Sequence, residues 1–178
     1  MLDQNPDISV ILPCQNEEHS LAGALQSIQS ILGEYNVSNE IILSDSSSDT
    51  SPQIAKAFNV YIHKHDRDGY GRAILEGVRV ARGKHLFIAD PDGSYDFREI
   101  PRFLEELHAG HDFVIGNRFK GKIAKGAMPW MHQYIGRPLF ALCMRLFFDE
   151  GGYDVHCGMR ALRRETFNNL DLVSHGME

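Results

Sequence analysis

Two aspartates that follow one apolar segment are the residues best suited to chemistry. Asp90 and Asp92 stand directly after the apolar run at residues 86–89, with Pro91 between them. Carboxylate oxygens are hard ligands that suit Mg²⁺ or Mn²⁺, and such ions are commonly held by one or two carboxylates plus substrate phosphates. The pair predicts a divalent-cation site that stabilises a departing diphosphate. A polar turn with an aspartate cap before the next helix explains the same residues equally well.

Two further polar segments, residues 13–18 and 44–50, also follow apolar runs. Asn16 and Glu17 are suited to contact a base or a ribose, and a plain helix N-cap with acidic residues in the first turn explains them as well. Asp45 is the expected ligand group of the second segment, because its carboxylate accepts from a base N–H or a ribose hydroxyl. A later aspartate in that segment is the expected helix cap.

The elements that position these segments alternate between two hydrophobic periods. Such alternation predicts a doubly wound, mostly parallel sheet flanked by helices, in which ligands bind beyond the carboxyl ends of the strands. The pattern breaks at residues 116–138, and no linker divides the chain, so we expect one domain over residues 1–178. The predicted strands are 8–12, 40–43, 60–63, 84–89 and 112–115, and the predicted helices are 18–32, 50–58, 70–81, 97–107 and 139–148.

The composition excludes several classes of protein. A net charge of -6 argues against a nucleic-acid partner, which usually meets a basic face. The three cysteines are widely spaced and no set of histidines and cysteines has zinc-ligand spacing, so a reducing compartment without structural zinc is expected. Residues 1–7 lack the basic start of a secretory signal, and the apolar run 139–148 is far shorter than the about 20 residues of a membrane span. These features predict a cytoplasmic protein.

Taken in chain order, the polar segments resemble those of family 2 of the inverting glycosyltransferases, which have a GT-A fold. The first strand with Pro13, Asn16 and Glu17 resembles the nucleotide-contacting turn of that family, and Asp90-x-Asp92 resembles its metal motif. Each match is short, but the set covers most of the chain and is specific as an ordered series. The other matches are residues 45–50, residues 116–119, and Asp154 with residues 158–160.

The resemblance implies a Rossmann-like fold that binds a nucleotide-diphospho-sugar, UDP-glucose or GDP-mannose, together with Mn²⁺ or Mg²⁺. For Arg72, contact with the diphosphate and a glycine turn that opens a helix are equally good explanations. Ser94 stands where many relatives have a metal-contacting glutamine, which leaves the third metal ligand open. The implied donor-binding residues are Pro13, Asn16, Glu17, Asp45, Arg72 and Asp90; the implied metal ligands are Asp90 and Asp92; and the implied catalytic residues are Asp92, Arg118 and Asp154.

Within the family, the likeness is greatest to the branch with dolichyl-phosphate mannose and glucose synthases, which move a hexose onto a polyprenyl phosphate. The implied reaction is a single displacement with inversion. An ionised acceptor phosphate needs positioning and electrostatic stabilisation more than a strong base, so Asp154 is expected to orient it. Arg118, Lys120 and Arg137 lie in a basic segment that suits a lipid phosphate at the cytoplasmic face of a membrane. A solvated loop is the alternative for that segment.

Two rival functions follow from the same residues. A sugar nucleotidyltransferase shares the alternating plan, but it predicts a glycine-rich basic loop after the first strand, where this chain has residues 13–18. Relatives generally continue beyond the point where this sequence ends, so we expect a C-terminally truncated catalytic domain. The alternative function is therefore a nucleotide-sugar-binding domain that is catalytically incomplete.

Overall fold

The computed structural model describes residues 5–66, 69–117, 154, 157–170 and 172. These residues belong to two compact units. The first unit contains the described residues up to 114 and from 159 onward, and the second contains those from 115 to 158. The prediction of one domain over the whole chain stays a prediction.

The first unit alternates strands and helices as the hydrophobic periods predict. The helix predicted over 18–32 begins three residues later, at Leu21. The helix predicted over 139–148 lies outside the described residues. The strands are β1 (Ile8–Cys14), β2 (Asn39–Asp45), β3 (Tyr61–Lys64), β4 (His85–Ile88), β5 (Phe113–Ile115) and β6 (Arg160–Arg163), and the helices are α1 (Leu21–Glu34), α2 (Ser51–Ala57), α3 (Tyr70–Val80), α4 (Ile100–His108) and α5 (Arg164–Asn168), with a 3₁₀ turn at Phe97–Glu99 before α4.

The strands form one sheet in the order β3-β2-β1-β4-β6-β5. The four strands from β1 to β4 are parallel to one another, while β6 runs antiparallel to β4, with Ile88 opposite Arg160. The predicted doubly wound, mostly parallel sheet is confirmed. Strand β6 was not predicted, and it adds an antiparallel element to the sheet beside β4.

Strand β1 forms the centre of the core. All seven of its residues are buried, which is typical of a parallel strand covered on both faces by helices. Helix α1 buries Leu21, Leu25, Ile28 and Leu32, the positions that the helical spacing predicted to face inward. Burial of each such side chain contributes about 1.5–3 kcal/mol, so this scaffold holds the carboxyl ends of its strands firmly in place.

A polar contact closes the opposite, amino edge of the sheet. Glu40 of β2 accepts hydrogen bonds from the Ser9 hydroxyl, at 2.6 Å, and from the Gly83 N–H, at 3.2 Å. Burial raises the pKa of the Glu40 carboxyl, but the hydrogen bonds from Ser9 and Arg82 outweigh it, so the net pKa is lowered. A Cβ atom on Gly83 would lie 2.5 Å from the Ser9 nitrogen. Only glycine therefore fits this turn.

Candidate active site

The parallel register places the polar segments at one edge of the sheet. Cys14 at the end of β1 pairs with Asp45 at the end of β2, and Ala89 after β4 donates its N–H to the Ile11 carbonyl at 3.3 Å. The loops that follow β1, β2 and β4 therefore leave the sheet in the same direction. This is the edge at which open α/β sheets bind their ligands.

Asp90 is held by a tyrosine from helix α3. Burial raises the pKa of the Tyr70 hydroxyl well above its ordinary value, and the charge of Asp90 and the hydrogen bond between the two side chains raise it further. Tyr70 therefore stays protonated and donates to the Asp90 carboxylate. Arg160 of β6 lies close enough to lower the Tyr70 pKa in part, so it brings positive charge to the same corner.

Asp92 is exposed and is oriented by its own turn. Its Oδ1 accepts from the Ser94 N–H at 2.8 Å, and its Oδ2 accepts from the Ser94 hydroxyl at 2.9 Å. Gly93 has a φ of 82°, a left-handed conformation that suits glycine at the centre of this turn. Ser94, the position where a third metal ligand was in question, thus orients the second aspartate.

The donor set fits a hard divalent cation. Asp90 and Asp92 follow the same strand end, and each carboxylate oxygen has more than one lone pair, so the hydrogen bonds from Tyr70 and Ser94 leave acceptor capacity on both side chains. All of the available ligand atoms are oxygens, the type that Mg²⁺ and Mn²⁺ favour.

Asn16 joins the loop after β1 to the loop after β2 by hydrogen bonds, and we call this set of contacts between the two loops the clasp. The Asn16 φ of 64° is left-handed, and its backbone N–H donates to the Ser47 hydroxyl at 2.9 Å. Its side-chain oxygen accepts from the N–H groups of Ser48, at 2.9 Å, and Asp49, at 3.3 Å. Asn16 is not a helix N-cap, because α1 has Ser20 at that position. Its amide group instead fixes the second loop.

Two glutamates complete this clasp. The Glu17 N–H donates to the Ser51 hydroxyl at 3.0 Å, and Glu18 accepts from the Thr50 hydroxyl at 2.7 Å. That hydroxyl is the main reason why the pKa of Glu18 is lowered. Asp49 accepts from the N–H groups of Glu18, at 3.1 Å, and Ser51, at 2.9 Å. Burial raises the pKa of Asp49, and these bonds outweigh it. The N-cap position of α2 is Thr50, so the prediction that Asp49 is the cap is wrong by one residue.

Asp45 is fully buried beneath the clasp. Its Oδ2 lies 2.8 Å from the Lys64 ammonium, and its Oδ1 accepts from the Ser47 N–H at 3.0 Å. Lys64 also donates to the Ser47 carbonyl. Both oxygens of Asp45 therefore have partners within the protein, and the residue fixes the shape of the loop that a ligand would meet.

Of the other site residues predicted from the sequence, the structure describes some and not others. Pro13 is buried within β1, opposite Ser44, and Arg72 lies in the first turn of α3. Asp154 is buried in the second unit, where its carbonyl accepts from the Cys157 N–H at 3.1 Å. The three basic residues predicted for the acceptor lie outside the described residues: Arg118, Lys120 and Arg137.

The sequence did not predict a role in the site for three residues: Tyr70, Lys64 and Arg160. Tyr70 lies in the glycine segment that was considered only for Arg72, and a tyrosine at the first residue of a helix matches no motif. Lys64 is the register partner of Asp45 across β2 and β3, so a polar residue at the end of the third strand was the available signal. Arg160 was noted as part of a motif without a role.

The fold and the site together define an open α/β protein with a carboxylate pair, suited to a divalent cation, at the edge of the sheet where such folds bind their ligands. The chain belongs to glycosyl transferase family 2, whose model matches residues 9–171. The low-salt glycan biosynthesis hexosyltransferase Agl6 of Haloferax volcanii is 34% identical over 177 residues, which are 99% of this chain and 43% of that protein. The dolichyl-phosphate hexose transferase of the same organism is 29% identical over 167 residues, 93% of this chain and 70% of that protein.

Solved structures show the same fold. The glucosyl-3-phosphoglycerate synthase of Mycobacterium tuberculosis, in complex with Mn²⁺, uridine diphosphate and glucosyl-3-phosphoglycerate, is 22% identical with a TM-score of 0.71. The match covers 93% of this chain and 59% of that one. This chain thus spans less than two thirds of the length of that structure and of Agl6. Within the described ranges, no helix has the length and apolar character to cross a membrane.

Proposed function

We propose that the chain carries the catalytic site of an inverting transferase that moves a hexose from a nucleotide-diphospho-sugar to a polyprenyl or dolichyl phosphate. The observation that carries the proposal is the carboxylate pair Asp90 and Asp92 at the carboxyl end of β4, each oriented by a hydrogen bond from a neighbouring side chain. The acceptor class is supported by relatives named dolichyl-phosphate hexose transferase and polyprenol monophosphomannose synthase.

The donor would lie across the clasped loops. Asn16 and Glu17 fix the first loop, and Asp45 with Lys64 fixes the second, so a base and ribose meet a preformed surface. Preorganisation of this kind reduces the ordering that binding requires. Pro13 lies at the base of the first loop, and Arg72 in the first turn of α3 would contact the donor's phosphates.

The diphosphate would lie at the carboxylate pair. Asp90 and Asp92 would hold Mn²⁺ or Mg²⁺, which when bound neutralises charge on the departing nucleoside diphosphate. Tyr70 holds the Asp90 carboxylate in place by hydrogen bonding, and Arg160 supplies nearby positive charge. Both effects are fixed before the donor arrives, so they need no reorganisation during the reaction.

The residues proposed for the acceptor are assigned from the sequence alone. Asp154 would orient the attacking phosphate oxygen, and Arg118, Lys120 and Arg137 would attract the lipid phosphate. Because such a phosphate is ionised near neutral pH, its attack on the anomeric carbon releases no proton that a base must take. A polyprenyl phosphate acceptor would bring the protein to the cytoplasmic face of a membrane as a peripheral protein.

The direct test supplies the 178-residue chain with Mn²⁺, a short polyprenyl phosphate in detergent, and UDP-glucose or GDP-mannose labelled in the sugar. The expected result is a labelled lipid-linked hexose that Asp92→Asn abolishes and Asp96→Asn leaves in place. Asp96 is a suitable control, because it lies in the same segment but caps the 3₁₀ turn by accepting from the Arg98 N–H at 3.1 Å. Donor binding without transfer would favour the catalytically incomplete domain, and absence of both would contradict the proposal.

A further inference from the structure

Three potential metal ligands meet at the amino edge of the sheet. Asp7 precedes β1, His85 begins β4, and His108 ends α4. One ligand atom from each lies within 4.8 Å of the other two, and among the residues that the structure describes these form the sole group of at least three such side chains. Residues from three separate elements thus converge on one point.

Each carboxylate oxygen of Asp7 faces one of the two imidazole rings. Asp7 Oδ1 lies 3.4 Å from His85 Nδ1, and Asp7 Oδ2 lies 3.4 Å from His108 Nε2. A tetrahedral zinc ion with bonds of about 2.1 Å has its ligand atoms about 3.4 Å apart, so one Asp7 oxygen and the two ring nitrogens, which lie within 4.8 Å of one another, reach that spacing by small rotations of their side chains. The geometry points to a zinc-binding site formed by Asp7, His85 and His108, with water as the fourth ligand.

The backbone around Asp7 is already fixed. The Asp7 N–H donates to the Ser38 carbonyl at 2.8 Å, and the His85 N–H donates to the Asp7 carbonyl at 2.9 Å. The His108 ring packs edge-on against the His85 ring, with 5.1 Å between their centroids. An ion would therefore need little backbone movement to bind. Coordination by His85 Nδ1 replaces the contact of that nitrogen with the Asp7 carbonyl, which lies 3.1 Å away.

The local charges are compatible with a cation. The carboxylate of Asp7 supplies one negative charge, and His108 stands at the C-terminus of α4, where the helix dipole favours positive charge. Arg163 is the opposing group, since its charge acts on His85, but its guanidinium is also 3.6 Å from the Asp112 carboxylate and donates to the Leu107 carbonyl at 3.1 Å. The His108 side chain is 55% exposed, which gives an ion access from solvent.

This site is separate from the carboxylate pair. His85 and Asp90 lie at opposite ends of β4, about 16 Å apart at the usual rise of a parallel strand. The ligand chemistry also differs, because two imidazole nitrogens and one carboxylate suit Zn²⁺, whereas the all-oxygen set of Asp90 and Asp92 suits Mg²⁺ or Mn²⁺. The competing arrangement is an ion-free one, in which the Asp7 carboxylate is hydrogen-bonded to both rings.

Cobalt(II) distinguishes the two arrangements, since its visible absorption is strong in tetrahedral sites. Co²⁺ would be titrated into the Asp92→Asn protein, so that the carboxylate pair is removed from the measurement, and Zn²⁺ would then be added as a competitor. We expect intense absorption that Zn²⁺ abolishes. The test variant is His108→Ala, and the matched control is His111→Ala, which removes an exposed histidine whose Nε2 lies 3.4 Å from Glu106 and which is not in the cluster.

The expected outcome is that His108→Ala weakens Co²⁺ binding by more than about tenfold, while His111→Ala leaves it unchanged. Zn²⁺ should likewise raise the melting temperature of the control but not of the test variant. Weak absorption typical of six-coordinate Co²⁺, or equal binding by the two variants, would overturn the zinc site and favour the ion-free arrangement.

Discussion

Replacement of Lys64 by methionine tests whether the buried Asp45 depends on its cationic partner. The Asp45 side chain has no solvent exposure, and the Lys64 ammonium, whose side chain is 54% exposed, contacts it at 2.8 Å. In Lys64→Met, the carboxylate keeps only the hydrogen bond from the Ser47 N–H among the bonds that the structure shows. A hydrogen bond to a charged group contributes about 1.5–3 kcal/mol, and the half-exposed lysine places the loss near the middle of that range, about 2 kcal/mol.

The assay is urea unfolding of the variant beside Lys56→Met, which removes an exposed lysine from the last turn of α2 and should change stability by less than about 0.5 kcal/mol. Adding Asp45→Asn to the Lys64→Met protein should restore part of the loss, because the uncompensated charge is then gone. If Lys64→Met matches the Lys56→Met control, or if the second substitution worsens the first, the ion pair does not stabilise this loop.

Three further substitutions, one of them with a control in α1, probe the site and the opposite edge of the sheet. Tyr70→Phe removes the hydroxyl that holds Asp90, and calorimetry should show donor affinity with Mn²⁺ falling by about fivefold, the equivalent of one hydrogen bond; unchanged affinity would remove Tyr70 from the site. Gly83→Ala forces a Cβ to within 2.5 Å of a backbone nitrogen of β1, so it should lower the free energy of unfolding by about 2 kcal/mol or more. The control is Gly23→Ala in α1, where an added Cβ would meet no atom within 4 Å. It should raise the free energy of unfolding by about 0.5–1 kcal/mol. The folded-state pKa of Glu40 lies below its ordinary value of 4.5, so its stabilising effect is present above pH 4.5 and is lost as the pH falls through the folded-state pKa. In Glu40→Gln, the free energy of unfolding in urea should therefore change less with pH between about pH 5 and pH 3. An unaltered pH dependence would argue against this.

The parallel part of the sheet was predictable because its strands are short apolar runs that alternate with amphipathic helices. Strand β6 was not, since its sequence Arg-Ala-Leu-Arg carries little strand signal and pairs with β4, more than 70 residues earlier in the chain. Nothing in local periodicity indicates a partner at that separation. The mixed character of the sheet therefore required the structure.

The candidate site likewise contains residues that the sequence predicted and contacts that it did not. Asp90 and Asp92 were found because they follow an apolar strand directly, whereas the pairing of Asp45 with Lys64 depends on strand register. Asn16 was predicted as a ligand or a cap, and the structure shows its amide holding the neighbouring loop. A side chain that stabilises a loop and one that contacts a ligand look alike in sequence, because both are polar residues after a strand.

The proposed zinc ligands also could not be predicted from the sequence. In the sequence His108 has His111 as its nearest histidine, and that spacing gives no zinc set. In the structure His108 instead meets His85 and Asp7, because the end of α4 packs beside the amino ends of β1 and β4. The three residues are far apart in the chain, so their clustering depends on tertiary packing and could not be predicted from the sequence.

We propose that Asp90 and Asp92 bind the diphosphate of a nucleotide sugar through a divalent cation. Calorimetric titration of UDP-glucose and GDP-mannose, with and without Mn²⁺, tests this on the unsubstituted chain, Asp92→Asn and Asp96→Asn. We expect Mn²⁺-dependent binding of one donor that Asp96→Asn retains and Asp92→Asn weakens by more than about tenfold. Mn²⁺-dependent binding that survives Asp92→Asn unchanged would contradict it.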